Sequence, residues 1–236
     1  MQKGDEMETT KLDRRSIDHV LATTRAVRRR LDLERPVPLE VVRECLELAL
    51  QAPTGFNQQN WRWLVVTDPE KRQAIAEIFR RVERPFMDMM EQSIRNGDEE
   101  TRKVATSSWY LAEHLHEVPV HVIPCSISRI DGVRAMFGSL GYETDLENMA
   151  ASAIYGELWP AAWSFMLALR SRGLGSAWTT LHLPFEREAE ELLGIPDTVT
   201  QVALLPVGFY TGTSFTPAAR RPAREITYAN RWKQTV

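Results

Sequence analysis

One stretch of the sequence, residues 52–61, concentrates polar groups that could recognise a planar heterocycle. It reads Ala-Pro-Thr-Gly-Phe-Asn-Gln-Gln-Asn-Trp and connects an apolar-periodic helix with the strand pattern at 63–66. Backbone amides, a hydroxyl and side-chain amides supply the donors and acceptors that alternating carbonyls and ring nitrogens require. Because Pro, Gly and Asn also form ordinary helix-to-strand connections, the turn alone is equally compatible with a purely conformational role.

A second candidate is the segment 25–30, which reads Arg-Ala-Val-Arg-Arg-Arg. Guanidinium groups bind phosphate oxygens through paired hydrogen bonds, so two of these arginines could hold one terminal phosphate. A solvated helix face and a nucleic-acid contact are the two alternatives. The run is short, Asp32 and Glu34 follow it, and the chain carries a net charge of −3, which disfavours nucleic acid.

Two more segments would contribute to a binding site only if the fold brings them close to segments 52–61 and 25–30. Near the C-terminus, Arg220 and Arg221 precede Pro222 and could add a cation to a phosphate site. Residues 173–181 read Gly-Leu-Gly-Ser-Ala-Trp-Thr-Thr-Leu, and the glycines could let the backbone approach a flat ligand closely. A helix end followed by a small-residue strand explains the same residues at least as well.

Common catalytic motifs are absent from the sequence. Neither the dinucleotide fingerprint nor the P-loop pattern occurs, and there is no Gly-x-Ser-x-Gly elbow. His114 and His116 are two residues apart, which is not the helical spacing of a metal-ligand pair, so we expect a helix surface and no metal site. An enzyme without these groups would rely on an organic cofactor for its chemistry.

The composition is that of a globular protein with one substantial core. The 236 residues are 43% hydrophobic and 26% charged, and no linker suggests two domains. Residues 1–15 are polar and predict a flexible tail before a single domain at 16–236. The apolar runs are strand-sized and no secretory signal is visible, so we expect a cytoplasmic location without membrane contact. Cys45 and Cys125 are expected to be buried and unpaired.

Hydrophobic periodicity and turn residues predict an α+β fold, because the helices are too unevenly spaced between strands for a doubly wound sheet. Helices are predicted at 14–25, 38–50, 69–79, 83–115 with a break at 96–97, 149–172 and 184–193. Strands are predicted after residue 61, at 118–127, at 175–180 and at 199–207, with a loop at 132–146. The helix at 149–172 is expected to be the longest, and its apolar residues on several sides predict burial in the core or against a second subunit.

In their order and spacing, the four segments resemble the flavin-dependent nitroreductase family over roughly residues 18–232. The most specific part runs from Thr24-Arg25-Ala26-Val27-Arg28, through Pro36-Val37-Pro38, to the turn at 52–61. Members of that family are similar in having an arginine-rich opening, a helix and a Pro-Ser/Thr-x-x-Asn-x-Gln-x-Trp turn. The later Arg-x-Gly-Leu-Gly-Ser segment and the closing Arg-Arg-Pro are similar too.

The resemblance implies a nitroreductase-like α/β sandwich, whose mainly antiparallel sheet is flanked by helices, in an intertwined homodimer with FMN at the subunit interface. It implies that Arg25 and Arg29, or Arg28, contact the FMN phosphate, joined by Arg220 and Arg221 from the C-terminal side. The other cofactor-binding residues that it implies are Ala26 and Val27 through their backbone, Pro53, Thr54, Gly55, Asn57 and Gln59 against the partner's flavin, and Thr180 and Leu181 along the isoalloxazine.

The implied activity passes a hydride from NAD(P)H through the flavin to a nitroaromatic, a quinone or a similar electron-poor small molecule, by a ping-pong mechanism. Because the flavin carries the chemistry, no catalytic side chain is assigned. The chain departs from the family at two places. Ala26-Val27 replaces a polar residue of the opening motif, and Thr180-Leu181 stands where enterobacterial members carry an acidic residue and glycine.

Three other hypotheses about the function stay open. One is a family offshoot with different flavin chemistry, such as dehalogenation, enoate or aldehyde reduction, or flavin fragmentation. The second is a flavin-binding protein without turnover, and the third is a nucleic-acid binder that uses the arginine cluster. Segments 84–102 and 131–148 are expected to cap the pocket and to decide between the enzymatic readings.

Overall fold

A computed structural model describes residues 13–142, 145–213 and 215–235. The chain divides into two compact units: Arg25–Thr213, here called the sheet unit, and Met1–Thr24 with Ser214–Val236, here called the terminal unit. Most of the tail predicted at 1–15 lies outside the described residues. The single domain expected at 16–236 stays a prediction.

A five-stranded antiparallel sheet forms the centre of the sheet unit. Its strands are β1 (Trp61–Val66), β2 (Val120–Ser126), β3 (Leu174–Ser176), β4 (Thr200–Gln201) and β5 (Leu205–Phe209). The order is β1-β2-β5-β3, and β4 pairs with β2 outside this path. Every residue of β2 is buried, which is expected of a strand that has neighbours on both edges and helices on both faces.

Helices cover the sheet, so the predicted α+β class is confirmed. In the sheet unit these helices are α2 (Leu39–Ala49), α3 (Pro69–Asn96), α4 (Glu99–His114), α5 (Ile130–Gly138), α6 (Glu147–Ser171) and α7 (Glu186–Leu193), whereas α1 (Arg14–Thr23) and α8 (Ala223–Ile226) belong to the terminal unit. Of these, α2 and α6 bury their apolar faces with Val120, Val122 and Leu205 in one core cluster. On the other face of β2, the ring of His121 contacts the carbonyl of Leu115 across 2.8 Å.

Capping residues fix where several elements begin and end. Asp68 accepts a hydrogen bond from the backbone N–H of Lys71 at 3.0 Å, and Pro69 opens α3, as predicted. Gly173 follows α6 with a φ of 75°, and Gly194 ends α7 with a φ of 68°. Both backbones lie in the left-handed region that glycine adopts without steric cost, so the predicted helix ends at 173 and 194 are confirmed.

Four predicted boundaries were wrong. Helix α3 does not stop at Phe79 but continues through Pro85 to Asn96, where the first glycine signal occurs, and at 28 residues it is longer than the 25 of α6. The first part of the loop expected at 132–146, residues 132–138, belongs to helix α5, and positions 143–144 lie outside the described residues. The strand expected at 199–207 is split into β4 and β5, and β3 ends at Ser176.

The terminal unit has little buried surface. Asp13 caps α1 by accepting a hydrogen bond from the N–H of Arg15, and the rings of Tyr228 and Trp232 are 4.9 Å apart. Among its described residues only Thr23 is buried, while Leu21 and Trp232 are 52% and 78% exposed. A segment with exposed apolar side chains and so little buried surface lacks a hydrophobic core of its own.

Two further expectations concern cysteines and membranes. Cys45 and Cys125 are buried and unpaired, as predicted. Burial raises the pKa of the Cys125 thiol to about 12, which makes it an inert small side chain. No helix within the described ranges has the length and apolarity needed to cross a membrane. The same residues contain no cluster of three or more His, Cys, Asp or Glu side chains arranged for a metal ion.

Candidate functional site

The turn between α2 and β1, residues 52–60, is strained and exposed. Phe56, Asn57 and Gln59 have φ values of 50°, 56° and 51°, in the left-handed region that side chains larger than glycine rarely adopt. Phe56 is 100% exposed although it is a large apolar residue. Backbone strain of this kind persists where surrounding structure imposes it, and it concentrates at ligand sites and interfaces.

Hydrogen bonds hold the turn in this shape. The N–H of Gln59 donates to Oγ1 of Thr54 at 3.3 Å, and Nε2 of Gln59 donates to Oδ1 of Asn57 at 3.1 Å. The N–H of Gly55 donates to Oε1 of Glu157, on helix α6, at 3.1 Å. The turn is therefore tied to α6 by a carboxylate 102 residues away in sequence, while the other polar groups of Asn57 and Gln59 face solvent.

A cleft of about 730 Å³ opens beside the turn. This volume falls in the range of small-molecule sites. Its walls come from the turn, the end of β2, helix α5 and the middle of α6, and its apolar side chains include Val133, Met136, Phe137 and Ile154. The sequence had placed a pocket cap at 131–148, but it missed the residues from α6, because a helix pattern does not show which face lines a cavity.

Two charged residues line the cleft, Arg129 and Glu157. Arg129 donates from Nε to the carbonyl of Asp197 at 2.7 Å, lies 3.1 Å from a carboxylate oxygen of Glu186, and forms a second ion pair with Glu190. Its cation is thus matched by two carboxylates of α7. Glu157 makes only the contact with Gly55 among the described residues, so its second carboxylate oxygen is open to the cleft.

The arginine segment, residues 25–30, lies beside β3, at the edge of the sheet opposite β1. Ala26 forms a parallel bridge with Ser176, and the N–H of Val27 donates to the Ser176 carbonyl at 2.8 Å. A Cβ placed on Gly175 would lie 2.8 Å from the Cβ of Val27. Gly175 therefore makes room for Val27. Gly173 acts as a helix end, so the structure favours the conformational explanation of the two glycines, and their approach to a flat ligand stays a prediction.

The arginines of this segment have different surroundings. Nη1 of Arg28 donates to Oγ of Ser107 on α4 at 3.4 Å, and no ion pair neutralises Arg28 in the described part of the chain. Burial lowers the pKa of Arg28 below its ordinary value. Arg29 is exposed, 6.0 Å from the ring centre of Tyr110, whereas Arg30 donates to the carbonyl of Thr211 at 2.7 Å.

The segment after β3 continues along the same edge. Thr179 bridges to Leu204, Thr180 is exposed and Leu181 is half-buried. The next residue, His182, has no exposed surface, and burial lowers its pKa to about 4, against a raising contribution from the side chain of Gln201. The imidazole is therefore neutral at pH 7 and acts as part of the core.

The described contacts place the sequence-predicted residues in two groups. The segment 25–30 and the strand β3 form the first group, here called the anchored half, and the turn 52–60 with the cleft forms the second, here called the open half. Arg220 and Arg221 belong to the terminal unit, where both are exposed and Nη1 of Arg220 donates to the carbonyl of Ala219 at 2.9 Å. Their role at a phosphate stays a prediction.

Comparison with known proteins identifies similar sequences and a similar solved structure. An iodotyrosine deiodinase of Thermotoga neapolitana is 29% identical over 191 residues, 80% of this chain and 86% of that protein. A 4-nitrobenzoate reductase of a Nocardioides species is 27% identical, over 82% of this chain and 80% of its own. The solved structure of an oxidised iodotyrosine deiodinase bound to FMN and 3-iodo-L-tyrosine matches with a TM-score of 0.63 and 23% identity, over 90% of this chain and 97% of that one.

A sequence model of the Nitroreductase family matches residues 21–209, which span both halves of the candidate site and the whole sheet. The predicted family resemblance is thereby confirmed, and the chain belongs to the nitroreductase family.

Proposed function

We propose that the protein is an FMN-dependent oxidoreductase that passes electrons from NAD(P)H to a nitroaromatic, a quinone or a similar electron-poor small molecule. The observation that carries the proposal is the partly buried guanidinium of Arg28, which has no acidic partner among the described residues. A buried cation is costly unless an anion compensates it. A terminal phosphate at this point would supply that anion.

The other residues of the site also fit FMN. Arg25 and Arg29 flank Arg28 in the segment, and Arg220 is proposed to reach the same phosphate. The amide side chains of Asn57 and Gln59 combine donors and acceptors, which the pyrimidine edge of a flavin requires. When bound, the flavin would supply the two-electron chemistry.

FMN rather than FAD is expected, because an arginine cluster suits one terminal phosphate and the chain has no dinucleotide fingerprint. The purified protein should be yellow. Chromatography of the cofactor released by heat should identify FMN, whereas FAD would overturn this assignment and a colourless protein would overturn flavin binding.

A homodimer is part of the proposal because the open half is incomplete within one chain. On α6, Trp159 is 54% and Trp163 42% exposed, and Phe56 projects fully from the turn. Apolar surface of this kind is typical of obligate interfaces, which resemble a domain core cut in two. We propose that the turn of one protomer contacts the flavin held by the arginines of the other.

If two protomers share each site, FMN binding and dimerisation are thermodynamically linked. Bound FMN should raise stability by about 2.7 kcal/mol when free FMN is 100-fold above its dissociation constant. Sedimentation velocity should show that the apo protein dissociates at higher concentration than the FMN-bound protein. A monomer that binds FMN tightly would contradict the shared site.

Turnover is expected to be ping-pong, because donor and acceptor would occupy the same space beside the flavin in turn. Steady-state rates at several acceptor concentrations should give parallel double-reciprocal lines, and intersecting lines would indicate a ternary complex. A flavin-binding protein without turnover would show no NAD(P)H oxidation with a quinone. Free, buried cysteines agree with the cytoplasmic location that we propose.

Reductive dehalogenation is the second candidate, because the Thermotoga relative is an iodotyrosine deiodinase. Release of iodide from 3-iodotyrosine by the reduced protein, without reduction of nitroaromatics, would favour it. Reduction of an enoate or aldehyde, or oxygen-dependent fragmentation of the flavin, can be followed by product chromatography in the same samples.

A further inference from the structure

We propose that Glu157 makes the cleft selective for electron-poor aromatic acceptors that carry a cationic or hydrogen-bond-donating group, and that it disfavours carboxylates. The inference rests on the proposed function and adds the substrate class. It is carried by three observations: the position of Glu157 on the cleft wall, its open carboxylate oxygen, and the charge balance of the other residues around the cleft.

Glu157 has one oxygen engaged and one open. Oε1 accepts the hydrogen bond from the N–H of Gly55 at 3.1 Å, which fixes the carboxylate against the turn. A Cβ on Gly55 would lie 3.2 Å from this oxygen, so the contact is close. Since Oε2 has no partner in the part of the chain that the structure describes, it is the acceptor that a substrate could meet beside the turn.

The neighbouring charges leave the cleft negative. Arg129 is the other charged residue in its wall, and it contacts both Glu186 and Glu190. Arg129 contributes one positive charge, and Glu186, Glu190 and Glu157 contribute three negative charges. The local net charge is therefore 1 − 3 = −2. The guanidinium of Arg129 is therefore not available to bind a substrate carboxylate.

The apolar residues of the cleft wall are expected to increase the preference for ammonium groups over carboxylates. Met136, Phe137 and Ile154 present apolar surface, against which an aromatic ring can pack. In a partly enclosed apolar site, a charged hydrogen bond is stronger than in water and an unpaired carboxylate is more costly. An aromatic acceptor should place its ring along this wall and its ammonium, amine or hydroxyl group toward Glu157.

Neither Glu157 nor the ammonium group of the acceptor takes part in the reaction itself. In a nitroaromatic, the nitro group takes up two electrons and two protons, loses one oxygen as water and becomes a nitroso group. NAD(P)H would supply the two electrons and the first proton as a hydride through the flavin, and the second proton would come from water. The ammonium group keeps its proton and its contact with Glu157 throughout, so Glu157 affects binding rather than chemistry.

The test compares three acceptors of similar shape with the FMN-bound protein at pH 7: 4-nitrobenzylamine, which is protonated, 4-nitrobenzyl alcohol and 4-nitrobenzoate. Values of kcat/KM for the amine should exceed those for the carboxylate by about 10- to 150-fold, the range of one charged hydrogen bond. Glu157→Gln can keep the contact with Gly55 through its amide oxygen but removes the charge. The amine-to-carboxylate ratio should fall toward one in this variant.

Glu147→Gln is the matched control, because Glu147 lies on the same helix but does not line the cleft. Its ratio should equal that of the unaltered protein. Equal kcat/KM values for amine and carboxylate in the unaltered protein would overturn the inference, as would a preference that Glu157→Gln leaves intact. If none of the three acceptors reoxidises the reduced flavin, the proposed function fails instead.

Binding without turnover gives a second readout. Benzylamine and benzoate, which cannot be reduced, are titrated into the oxidised FMN-bound protein, and the flavin absorbance is followed. Benzylamine should bind about 10-fold or more tightly than benzoate, and Glu157→Gln should remove the difference. Tighter binding of benzoate would overturn the inference independently of any catalytic measurement.

Discussion

The two halves of the candidate site differ in how completely one chain builds them. In the anchored half, Val27 bonds to Ser176 and packs against Gly175 without room for another carbon atom. In the open half, Phe56 is fully exposed on a left-handed backbone that few contacts support. A single chain thus packs the arginine side closely and leaves the turn side exposed, which is the difference expected if a second copy completes the site.

The largest effect is expected where the anchored half is most tightly packed. Gly175→Ala places a methyl group 2.8 Å from the side chain of Val27, and overpacking of this kind costs about 1–3 kcal/mol of unfolding free energy, occasionally more. Because Arg28 follows Val27, FMN occupancy should fall as well. Urea unfolding and flavin absorbance measure both effects.

The control for this change is Gly138→Ala, at a helix position where an added Cβ meets nothing within 4 Å. It should leave stability unchanged or raise it by up to about 1 kcal/mol. Equal stability of the two alanine variants would show that the anchored half is looser than described.

A second prediction tests the phosphate contact. Arg28→Ala should weaken FMN binding by about 10- to 150-fold, because one charged hydrogen bond contributes roughly 1.5–3 kcal/mol. Arg25→Ala and Arg220→Ala are expected to act in the same direction. Arg43→Ala, which removes an exposed arginine that pairs with Glu47 on α2, serves as control. Fluorescence titration of apo protein with FMN measures the affinities, and an unchanged value in Arg28→Ala would remove the assignment.

A third prediction tests the open half. Phe56→Gly removes the steric cost of a left-handed backbone, which is about 1–2 kcal/mol for a residue with a Cβ. It also removes a ring that is fully exposed in the single chain. The isolated protomer should not lose stability, but the dimer should dissociate about 10-fold more readily, a loss of roughly 1.4 kcal/mol. Sedimentation at several concentrations checks this.

Val104→Ala, which shortens an exposed apolar residue of α4, is the control for that variant and should leave the dimer unchanged. If Phe56→Gly strengthens the protomer without weakening the dimer, the turn does not contact a partner.

The smallest effect concerns pH. Burial lowers the pKa of His182 from 6.5 to about 4, so its neutral form favours the folded state. This contribution is complete above pH 6.5 and is lost as pH falls toward 4, by about 1 kcal/mol between pH 7 and 5.5. His182→Gln should flatten that part of the stability profile, whereas replacement of the exposed His19 by Gln should not. An equal slope in both variants would contradict the burial effect.

The sequence indicated one segment of each half. The turn and the arginine segment were found because they combine unusual residue types at short spacing, and the caps at Asp68, Gly173 and Gly194 fixed helix ends correctly. Such signals are local. They come from the backbone preferences of the residues that carry them.

What the sequence missed depends on contacts between distant residues. Glu157 is one charged side chain on a long helix, and nothing near it indicates that it meets Gly55. Helix α5 was read as a loop because it is short and contains Gly132 and Gly138, although packing against α6 stabilises it. The two explanations of Gly175 stayed open because the sequence cannot show that Val27 fills the space beside it.

The shared site is tested most directly by mixing two defective variants, Arg28→Ala in the anchored half and Asn57→Trp in the open half. Each variant alone should bind little FMN. If each site combines the arginines of one protomer with the turn of its partner, random exchange of subunits in a 1:1 mixture gives half heterodimers, each with one intact site, so about 25% of the FMN binding of the unaltered protein should return. A mixture that binds no more FMN than the separate variants, after subunit exchange has been verified, would contradict the shared site.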